Sequence, residues 1–357
     1  MTPIALKSPG AQVLACGAWL KNTVCLTKGD EAFLSGNIGD LDSRENCAAF
    51  EENISDMMSA LDIEPGAVAC DMHPDFHSSR FASRFAVEKG VPLFRVQHHH
   101  AHIAAIQAEH GMEQVLGLAL DGVGYGLDGG IWGGELLMVR GPGMERLGHL
   151  RELPLPGGDR AARAPWRIAA GVLHLLGRHD EIAARFDEPG AGVVAQMLQR
   201  GCPMTSSAGR WFDAASALLG INLNASFEAQ AAMELEALAR AHGEVEPMID
   251  GYIIEEGVLN FLPLMVRLAD IRDAAYGAAL FHATFSRGLA DWVIQASSET
   301  GLTAIALGGG CFQNTVMRTL LVKHLHGFEV SIPNRAPCND GGVSLGQAQV
   351  ARALLGS

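Results

Sequence analysis

The chain has 357 residues, of which 48% are hydrophobic and 18% are charged. Such a composition supplies a buried core and excludes an intrinsically disordered chain. A chain of this length predicts two domains or one large two-lobed unit. The net charge is −14, and an acidic protein gains no counterion release on a nucleic-acid backbone, so we expect no direct nucleic-acid partner.

The cysteine pattern and the hydropathy of the chain indicate the cellular compartment of the protein. The seven cysteines are scattered and include no C-x-x-C pair, so they predict reduced thiols and neither a zinc ribbon nor a disulfide framework. The N-terminus does not have the pattern of a signal peptide. No apolar run approaches the roughly 20 residues of a membrane span. We therefore expect a cytoplasmic protein without a membrane partner.

The first third of the chain has the pattern of an α/β lobe. Apolar and β-branched runs cut by Gly and Asp predict strands, and the longer periodic segments between them predict helices. Residues 1–10 are expected to lie loose outside this lobe. The predicted elements are three short strands between 11 and 36, a helix at 42–61, a strand at 67–71, a helix at 74–88, a strand at 92–96 and a helix at 98–109.

The pattern then restarts, which predicts a second lobe of similar topology around a cleft. Its predicted elements are strands at 115–121, 130–140 and 146–150, a mostly helical insertion at about 154–280, a strand at 303–310, a helix at 313–325, a strand at 329–332 and a helix at 342–354. Alternation of strands and helices favours the α/β class. We expect an N-terminal lobe at 12–113 and a C-terminal lobe at 114–341, with the closing helix 342–355 packing on the first.

The segment "VQHHHAHIAA" carries the strongest indication of a metal site. On a helix, residues four apart share a face, so His98 and His102 can bind one ion. Taken alone, the pair is more typical of surface or core histidines. Asp121 ends an apolar strand and Asp340 opens the last helix, the positions at which α/β folds place ligand groups. Two imidazoles and two carboxylates suit Fe²⁺, Zn²⁺ or Mn²⁺.

A glycine-rich turn at 120–135 predicts a phosphate-binding hairpin. A dinucleotide-binding loop would continue into a helix, whereas Asp128-Gly129 here indicates a hairpin leading into a strand. A strand–glycine turn–strand element cups phosphates in the acetate kinase, sugar kinase, Hsp70 and actin (ASKHA) fold. We expect nucleotide contacts at Gly122, Gly124 and Gly134; the alternative is a purely structural hairpin.

Further nucleotide contacts are predicted from a second glycine turn and two helix starts. Each has a plain alternative: packing glycines, a surface ion pair or an ordinary helix. The expected contacts are Gly309, Gly310, Asn314, Arg210, Asp213, Glu228 and Gln230. Lys21 lies in a turn from which a cation could reach a phosphate, although a solvated lysine is the usual interpretation. His99 or His100 could serve as a general base.

Assembled in order, these blocks resemble the C-terminal, Kae1-like domain of the HypF carbamoyltransferases. The resemblance runs from about residue 12 to 355 and includes "GAWLKNT", "CDMHPDFHSSRFA", "VQHHHAHIAA", "LDGVGYGLDGGIWGGE", "SSAGRWFDA", "ALGGGCFQN" and "NDGGVSLGQA". It implies a two-lobed ASKHA fold that binds carbamoyl adenylate, or ATP and AMP, between its lobes. It also implies a divalent metal at the four ligands named above.

The resemblance implies a partner as well. The family's acceptor is the C-terminal cysteine of HypE, whose thiocarbamate becomes the cyanide ligand of nickel–iron hydrogenase. Acylphosphatase, zinc-finger and YrdC-like modules are not visible in this sequence, so we expect separate modules to make the adenylate. In "FEAQAA", Ala229 stands where the family pattern has glycine.

Two other function classes stay open. A tRNA threonylcarbamoyladenosine transferase of the Kae1/TsaD branch would use the same cleft with a different acyl group, but the charge of the chain disfavours tRNA. A nucleotide-binding kinase or regulator of the same fold would bind ATP without carbamoyl transfer.

Overall fold

The computed structural model describes residues 2–356. These residues form two mixed β-sheets, each covered by helices, so the predicted α/β class is confirmed. Within residues 2–356, no helix is both long and apolar enough to cross a bilayer.

The first sheet has five strands in the order β1-β3-β2-β4-β5. The β1–β3 and β2–β3 pairs are antiparallel, whereas β2, β4 and β5 run parallel. Its strands are β1 (Ile4–Gly10), β2 (Val13–Ala15), β3 (Cys25–Leu34), β4 (Ala67–Asp71) and β5 (Leu93–Val96), and its helices are α1 (Arg44–Leu61), α2 (His77–Lys89) and α3 (His98–His110).

The expectation that residues 1–10 lie loose is wrong for most of that segment. Strand β1 pairs with β3, with Ile4 opposite Ala32. Only Ile4 of this strand is buried, because β1 is an edge strand whose outer side faces solvent. An edge strand is held by ladder hydrogen bonds on one side and needs little apolar alternation, so the sequence pattern does not reveal it.

The second sheet has the main order β11-β12-β8-β7-β6-β13-β14, with β9 and β10 paired beside β7. Its strands are β6 (Gln114–Tyr125), β7 (Ile131–Arg140), β8 (Gly143–Leu150), β9 (Leu153–Pro154), β10 (Met204–Thr205), β11 (Ile253–Glu255), β12 (Val258–Asn260), β13 (Ala304–Gly308) and β14 (Glu329–Ser331). Its long antiparallel β6–β7 hairpin contains the predicted glycine turn.

The insertion is less uniformly helical than the sequence predicts. Strands β10, β11 and β12 lie within it and extend the sheet, because two or three residues are too short to show a period of two. The helices of this lobe are α4 (Asp159–Arg163), α5 (Pro165–Leu175), α6 (Ile182–Arg185), α7 (Ala191–Arg200), α8 (Ala208–Leu218), α9 (Gln230–His242), α10 (Leu262–Asp270), α11 (Ala274–Thr300) and α12 (Thr315–His324). The closing helix is α13 (Val343–Leu355), which packs on the first sheet.

Helices α3 and α13 lie between the two sheets. Helix α13 packs on β2, β3 and β4, whereas α3 packs on α13 and on β6 and β13. The two helices approach closely at Gly346, where an added Cβ would lie 1.8 Å from the carbonyl oxygen of Ala101. As a result α3 is buried from His98 to Ala108, and its first turn is held at the junction of the lobes.

Candidate metal and nucleotide site

The four predicted metal ligands converge on one point. His98 and His102 lie on consecutive turns of α3, Asp121 follows the buried part of β6, and Asp340 precedes α13. One ligand atom from each of these residues lies within 4.8 Å of all the others. His98 Nε2 is 3.2 Å from Asp121 Oδ2 and 3.6 Å from Asp340 Oδ1. The structure thus brings together residues that are far apart in the sequence.

Asp71 orients His98, and the sequence analysis missed it. Its Oδ2 accepts a hydrogen bond of 2.8 Å from His98 Nδ1. That bond places the ring proton on Nδ1 and leaves the Nε2 lone pair directed at the cluster. A carboxylate that orients a ligand histidine in this way is common in metal sites. Asp71 ends the buried strand β4, the same signal that identified Asp121, so the sequence pattern could have found it.

The donor set fits a divalent cation. The carboxylates of Asp121 and Asp340 lie 3.2 to 3.8 Å from the two imidazoles. Among the residues that the structure describes, no lysine or arginine forms a salt bridge with either carboxylate. His102 Nε2 is buried and has no hydrogen-bond partner within residues 2–356. A buried polar atom without a partner is costly, and a bound ion would remove that cost.

Electrostatics support the same interpretation. Burial opposes the charged form of His98, yet Asp340, Asp121 and Asp71 raise its pKa well above the ordinary value. Burial likewise opposes ionisation of Asp121, while the neighbouring imidazoles of His102 and His98 hold its pKa well below the ordinary value. The cluster therefore attracts positive charge, which a proton or a metal ion can supply.

The second glycine turn holds Asp121 from its other side. The backbone N–H of Gly310 donates to Asp121 Oδ1 over 3.2 Å. Gly309 has a φ of +102°, and an added Cβ would lie 2.3 Å from the carbonyl oxygen of Leu120. Only glycine suits this close, left-handed approach of the β13 turn to β6.

The glycines of the β6–β7 hairpin differ in their surroundings. A Cβ on Gly124 would lie 2.5 Å from His99 Cε1, so this backbone covers the histidine turn directly. A Cβ on Gly134 would lie 2.4 Å from the carbonyl oxygen of Ser206, which indicates packing against the strand before α8. Gly122 has open space where a Cβ would be, which leaves room for a ligand beside Asp121.

His99 and His100 lie outside the cluster. The amide of Gln97 donates to His99 Nδ1 over 3.0 Å, because its own oxygen accepts from the His100 backbone. His99 is thus a hydrogen-bond donor at Nε2 and has no free lone pair, so the arrangement does not support its predicted role as a base. Burial lowers the pKa of His99 well below the ordinary value and that of His100 to about 4. Both rings are neutral at pH 7.

Lys21 and Glu228 form an ion pair that joins the two lobes. Burial opposes the charge of Lys21, but Glu228, then Asp340 and Asp40, raise its pKa. The backbone N–H of Lys21 also donates to Asp40 Oδ1 over 2.8 Å. Lys21 is therefore a fixed cation within the electrostatic range of Asp340, at the edge of the crevice.

The remaining predicted nucleotide contacts mostly have partners within the protein. Arg210 Nε lies 2.7 Å from Asp213 Oδ2 on α8, and burial raises the pKa of Asp213. Asn314 caps α12 and donates to His282 Nε2 over 3.0 Å. Gln230 accepts from Ser226 and donates to Glu234. A nucleotide contact at Asn314 or Gln230 would have to replace these bonds, and it stays a prediction.

Ala229 adopts a backbone conformation that favours glycine, the residue that the resemblance implies at this position. Its φ is +63° and its ψ is +10°, the left-handed region, at the N-cap of α9. Alanine there costs roughly 1–2 kcal/mol relative to the right-handed form, a cost that glycine avoids. The departure noted in the sequence therefore introduces backbone strain next to Glu228.

A buried charge network beneath the hairpin was also missed. Glu135 is fully buried and accepts from the backbone of Gly133 and Gly134, from Ser206 and from Arg146 Nε at 2.6 Å. The Arg146 guanidinium carbon lies 3.9 Å from the centroid of the Trp132 ring. This network stabilises the glycine hairpin, and an acidic residue inside an apolar strand was its only sequence signal.

Family models match both lobes. The model described as "HypF Kae1-like domain" matches residues 8–109, and the one described as "Carbamoyltransferase, Kae1-like Domain, second subdomain" matches residues 117–347. Together they cover most of the chain.

Curated relatives and solved structures agree with this match. The chain is 47% identical to "Carbamoyltransferase HypF2" of Cupriavidus necator over 98% of the chain and 48% of that protein. It is 46% identical to a "Carbamoyltransferase HypF homolog" of the same organism over 96% of the chain and 92% of that protein. It is 44% identical to "Carbamoyltransferase HypF" of Rhizobium leguminosarum over 99% of the chain and 47% of that protein. The chain thus spans about half the length of two of these three relatives.

Two crystal structures share the fold. Full-length HypF in the phosphate- and nucleotide-bound form is 36% identical with a TM-score of 0.90, over 99% of this chain and 48% of that one. HypF of T. kodakarensis is 29% identical with a TM-score of 0.90, over 99% of this chain and 49% of that one. The predicted two-lobed, Kae1-like ASKHA fold is confirmed, and the chain belongs to the HypF carbamoyltransferase family.

Proposed function

We propose that this chain transfers a carbamoyl group from carbamoyl adenylate to the C-terminal cysteine thiol of HypE, in the synthesis of the cyanide ligands of nickel–iron hydrogenase. The observation that carries the proposal is the convergence of His98, His102, Asp121 and Asp340 within 4.8 Å. It occurs beneath a glycine hairpin in a chain of the HypF carbamoyltransferase family.

The reaction creates negative charge, which a cation bound by the four clustered residues would stabilise. The thiolate sulfur attacks the carbamoyl carbon, the bond from that carbon to the phosphate oxygen breaks, and AMP leaves with its electron pair. Negative charge grows on the carbamoyl oxygen and then on the phosphate. A divalent ion held by the four ligands, Fe²⁺ or Zn²⁺, would supply Lewis-acid stabilisation of that charge.

The chain's own residues complete the site. Asp71 orients His98, and Gly310 holds one oxygen of Asp121, so that the other faces the cluster. Lys21 places a cation at the edge of the crevice, where the phosphate of the adenylate can reach it. No side chain of this protein is needed as nucleophile, because the acceptor thiol supplies it.

The nucleotide fits between the two glycine turns. Gly122 leaves open space beside Asp121, and Gly309 and Gly310 bring a second backbone turn to the same carboxylate. Backbone N–H groups in such turns bind phosphates. A crevice between lobes also keeps water from a reactive mixed anhydride.

The adenylate would come from other modules. Two of the curated relatives are about twice as long as the part that this chain matches. We propose that YrdC-like, zinc-finger and acylphosphatase modules make carbamoyl adenylate and deliver it to the crevice.

The test supplies the adenylate directly. Synthetic carbamoyl adenylate and a HypE C-terminal peptide are mixed with the protein, and the mass of the peptide is measured. We expect transfer by the wild type and a loss of about 10²–10³ in rate for His98→Ala or Asp340→Ala, because charge stabilisation is removed. His110→Ala, on the same helix but bonded to Ile332, is the control and should keep the wild-type rate. A wild-type rate of transfer in His98→Ala would contradict the proposed metal mechanism.

A further inference from the structure

A cavity lies beside the metal-ligand cluster and is lined in part by the Asn339–Gly341 loop. Its volume is about 350 Å³, and it is lined by β1, the turn at Lys21, the end of β3 and the loop before α13. Ligand pockets begin at about 300 Å³, so this cavity is large enough for a small ligand. Ile4, Leu34 and Pro337 form the apolar part of the lining, and polar residues form the other part.

The charge of the cavity opposes that of the whole protein. Lys21 and Arg335 both line it, and no carboxylate is among its lining residues within the described range 2–356. The chain as a whole carries 40 acidic against 26 basic residues. Lys21 is already paired with Glu228, which lies outside the lining, so within residues 2–356 Arg335 is the lining cation that no carboxylate pairs.

The uncharged polar side chains of the lining are two asparagine amides and the hydroxyls of Thr2, Thr23 and Ser35. Asn37 Oδ1 accepts from Gly39, and Asn339 Oδ1 accepts from Gly341, so each amide presents its NH₂ group. The hydroxyl of Thr23 is already bonded to the carbonyl oxygen of Gly341 and to Ser344. The hydroxyl of Ser35 donates to Gly36 and accepts from Val24.

We propose that this cavity binds a small oxyanion of the phosphate class, at a site separate from the four metal ligands. Cations and amide donors around one volume are the groups that recognise phosphate oxygens. Arg335 donates to the backbone carbonyl oxygens of Thr2 and Pro3, and these uncharged partners do not pair the guanidinium with a carboxylate. The site shares Lys21 with the crevice proposed for the adenylate, and it shares the Asn339–Gly341 loop with Asp340.

The experiment measures binding to the metal-free full chain by isothermal titration calorimetry. The probes are inorganic phosphate, AMP and adenosine. We expect saturable phosphate binding that weakens about tenfold or more in Arg335→Gln, since a charge-assisted hydrogen bond is lost. Asn37→Asp should weaken it as much, because the aspartate keeps the bond to Gly39 but replaces the NH₂ donor with negative charge.

A control variant tests whether the loss of any arginine has the same effect, and the AMP and adenosine probes distinguish a nucleotide phosphate from a free phosphate ion. Arg272→Gln makes the same charge change at an exposed residue outside the cavity and should bind phosphate as the wild type does. If both cavity variants weaken phosphate and AMP but not adenosine, the nucleotide's own phosphate enters the cavity. If they weaken phosphate alone, a separate ion occupies it. Wild-type phosphate and AMP binding in folded Asn37→Asp and Arg335→Gln, or no saturable binding at all, would overturn the proposal.

Discussion

A single hydrogen bond decides which nitrogen of His98 can act as a ligand. Asp71 Oδ2 accepts from Nδ1, and Asp71 Oδ1 accepts from the backbone of His73, so the carboxylate is itself fixed. Asp71 and His98 are both buried. The orientation of His98 therefore depends on a residue that does not touch the centre of the cluster.

At the residue scale, we predict that Asp71→Asn weakens metal binding about 10- to 100-fold, the usual effect of removing such an orienting carboxylate. The affinity is measured by competition with a chromophoric chelator. Asp75→Asn removes an exposed carboxylate four residues later, which pairs with Arg80, and should bind metal as the wild type does. Equal affinity in the two variants would show that Asp71 is not needed to orient the ligand.

At the scale of secondary structure, the site depends on how closely α3 and α13 cross. Helix α3 carries both histidines, and Asp340 lies just before α13. The crossing point is Gly346, whose missing side chain lets the backbone of α13 reach the carbonyl of Ala101. Any increase in the distance between these helices moves Asp340 away from the imidazoles.

We predict that Gly346→Ala lowers the free energy of unfolding by about 1–3 kcal/mol, the usual cost of overpacking a core, and also weakens metal binding. Urea unfolding and the chelator competition measure the two effects. Gly192→Ala makes the same change in helix α7, where a Cβ has open space. It should stabilise the protein by up to about 1 kcal/mol, because alanine favours helix over glycine. If Gly346→Ala is as stable as Gly192→Ala, the close crossing is not required.

At the scale of the whole molecule, the two lobes are joined across the crevice by Lys21 and Glu228. Lys21 itself has a strained φ of +45°, and Ala229, next to Glu228, has a φ of +63°. The two side chains are 32% and 63% exposed, and an exposed pair of this kind contributes only about 0.2–1 kcal/mol. Such a contact can bias the separation of the lobes without setting the stability of the fold.

We predict that Glu228→Gln shifts the two lobes of the nucleotide-free protein apart while the urea midpoint changes little. Single-molecule energy transfer between a dye on each lobe measures the separation. Glu244→Gln breaks the Lys323–Glu244 pair, which lies within the second lobe, and should leave the separation unchanged. An identical distribution of separations in both variants would contradict a role for the Lys21–Glu228 pair in holding the lobes.

The sequence by itself determined the class of fold and the identity of the four clustered residues. Helical spacing put His98 and His102 on one face, because that signal repeats with the period of the backbone. The end of an apolar strand pointed to Asp121 and the start of the last helix pointed to Asp340, and both of these signals are local. The edge strand Ile4–Gly10 and the short strands of the insertion carry no such period.

Only the tertiary structure decided what depends on distant partners. The tautomer of His98 is set by Asp71, Asn314 is held by His282, and Glu228 is paired with Lys21 across the crevice. None of these pairs follows from spacing along the chain, since each joins elements that meet only after the sheets and helices pack. The physical reason is that the sequence specifies local geometry directly, whereas a hydrogen-bond partner is chosen by the packing of the whole fold.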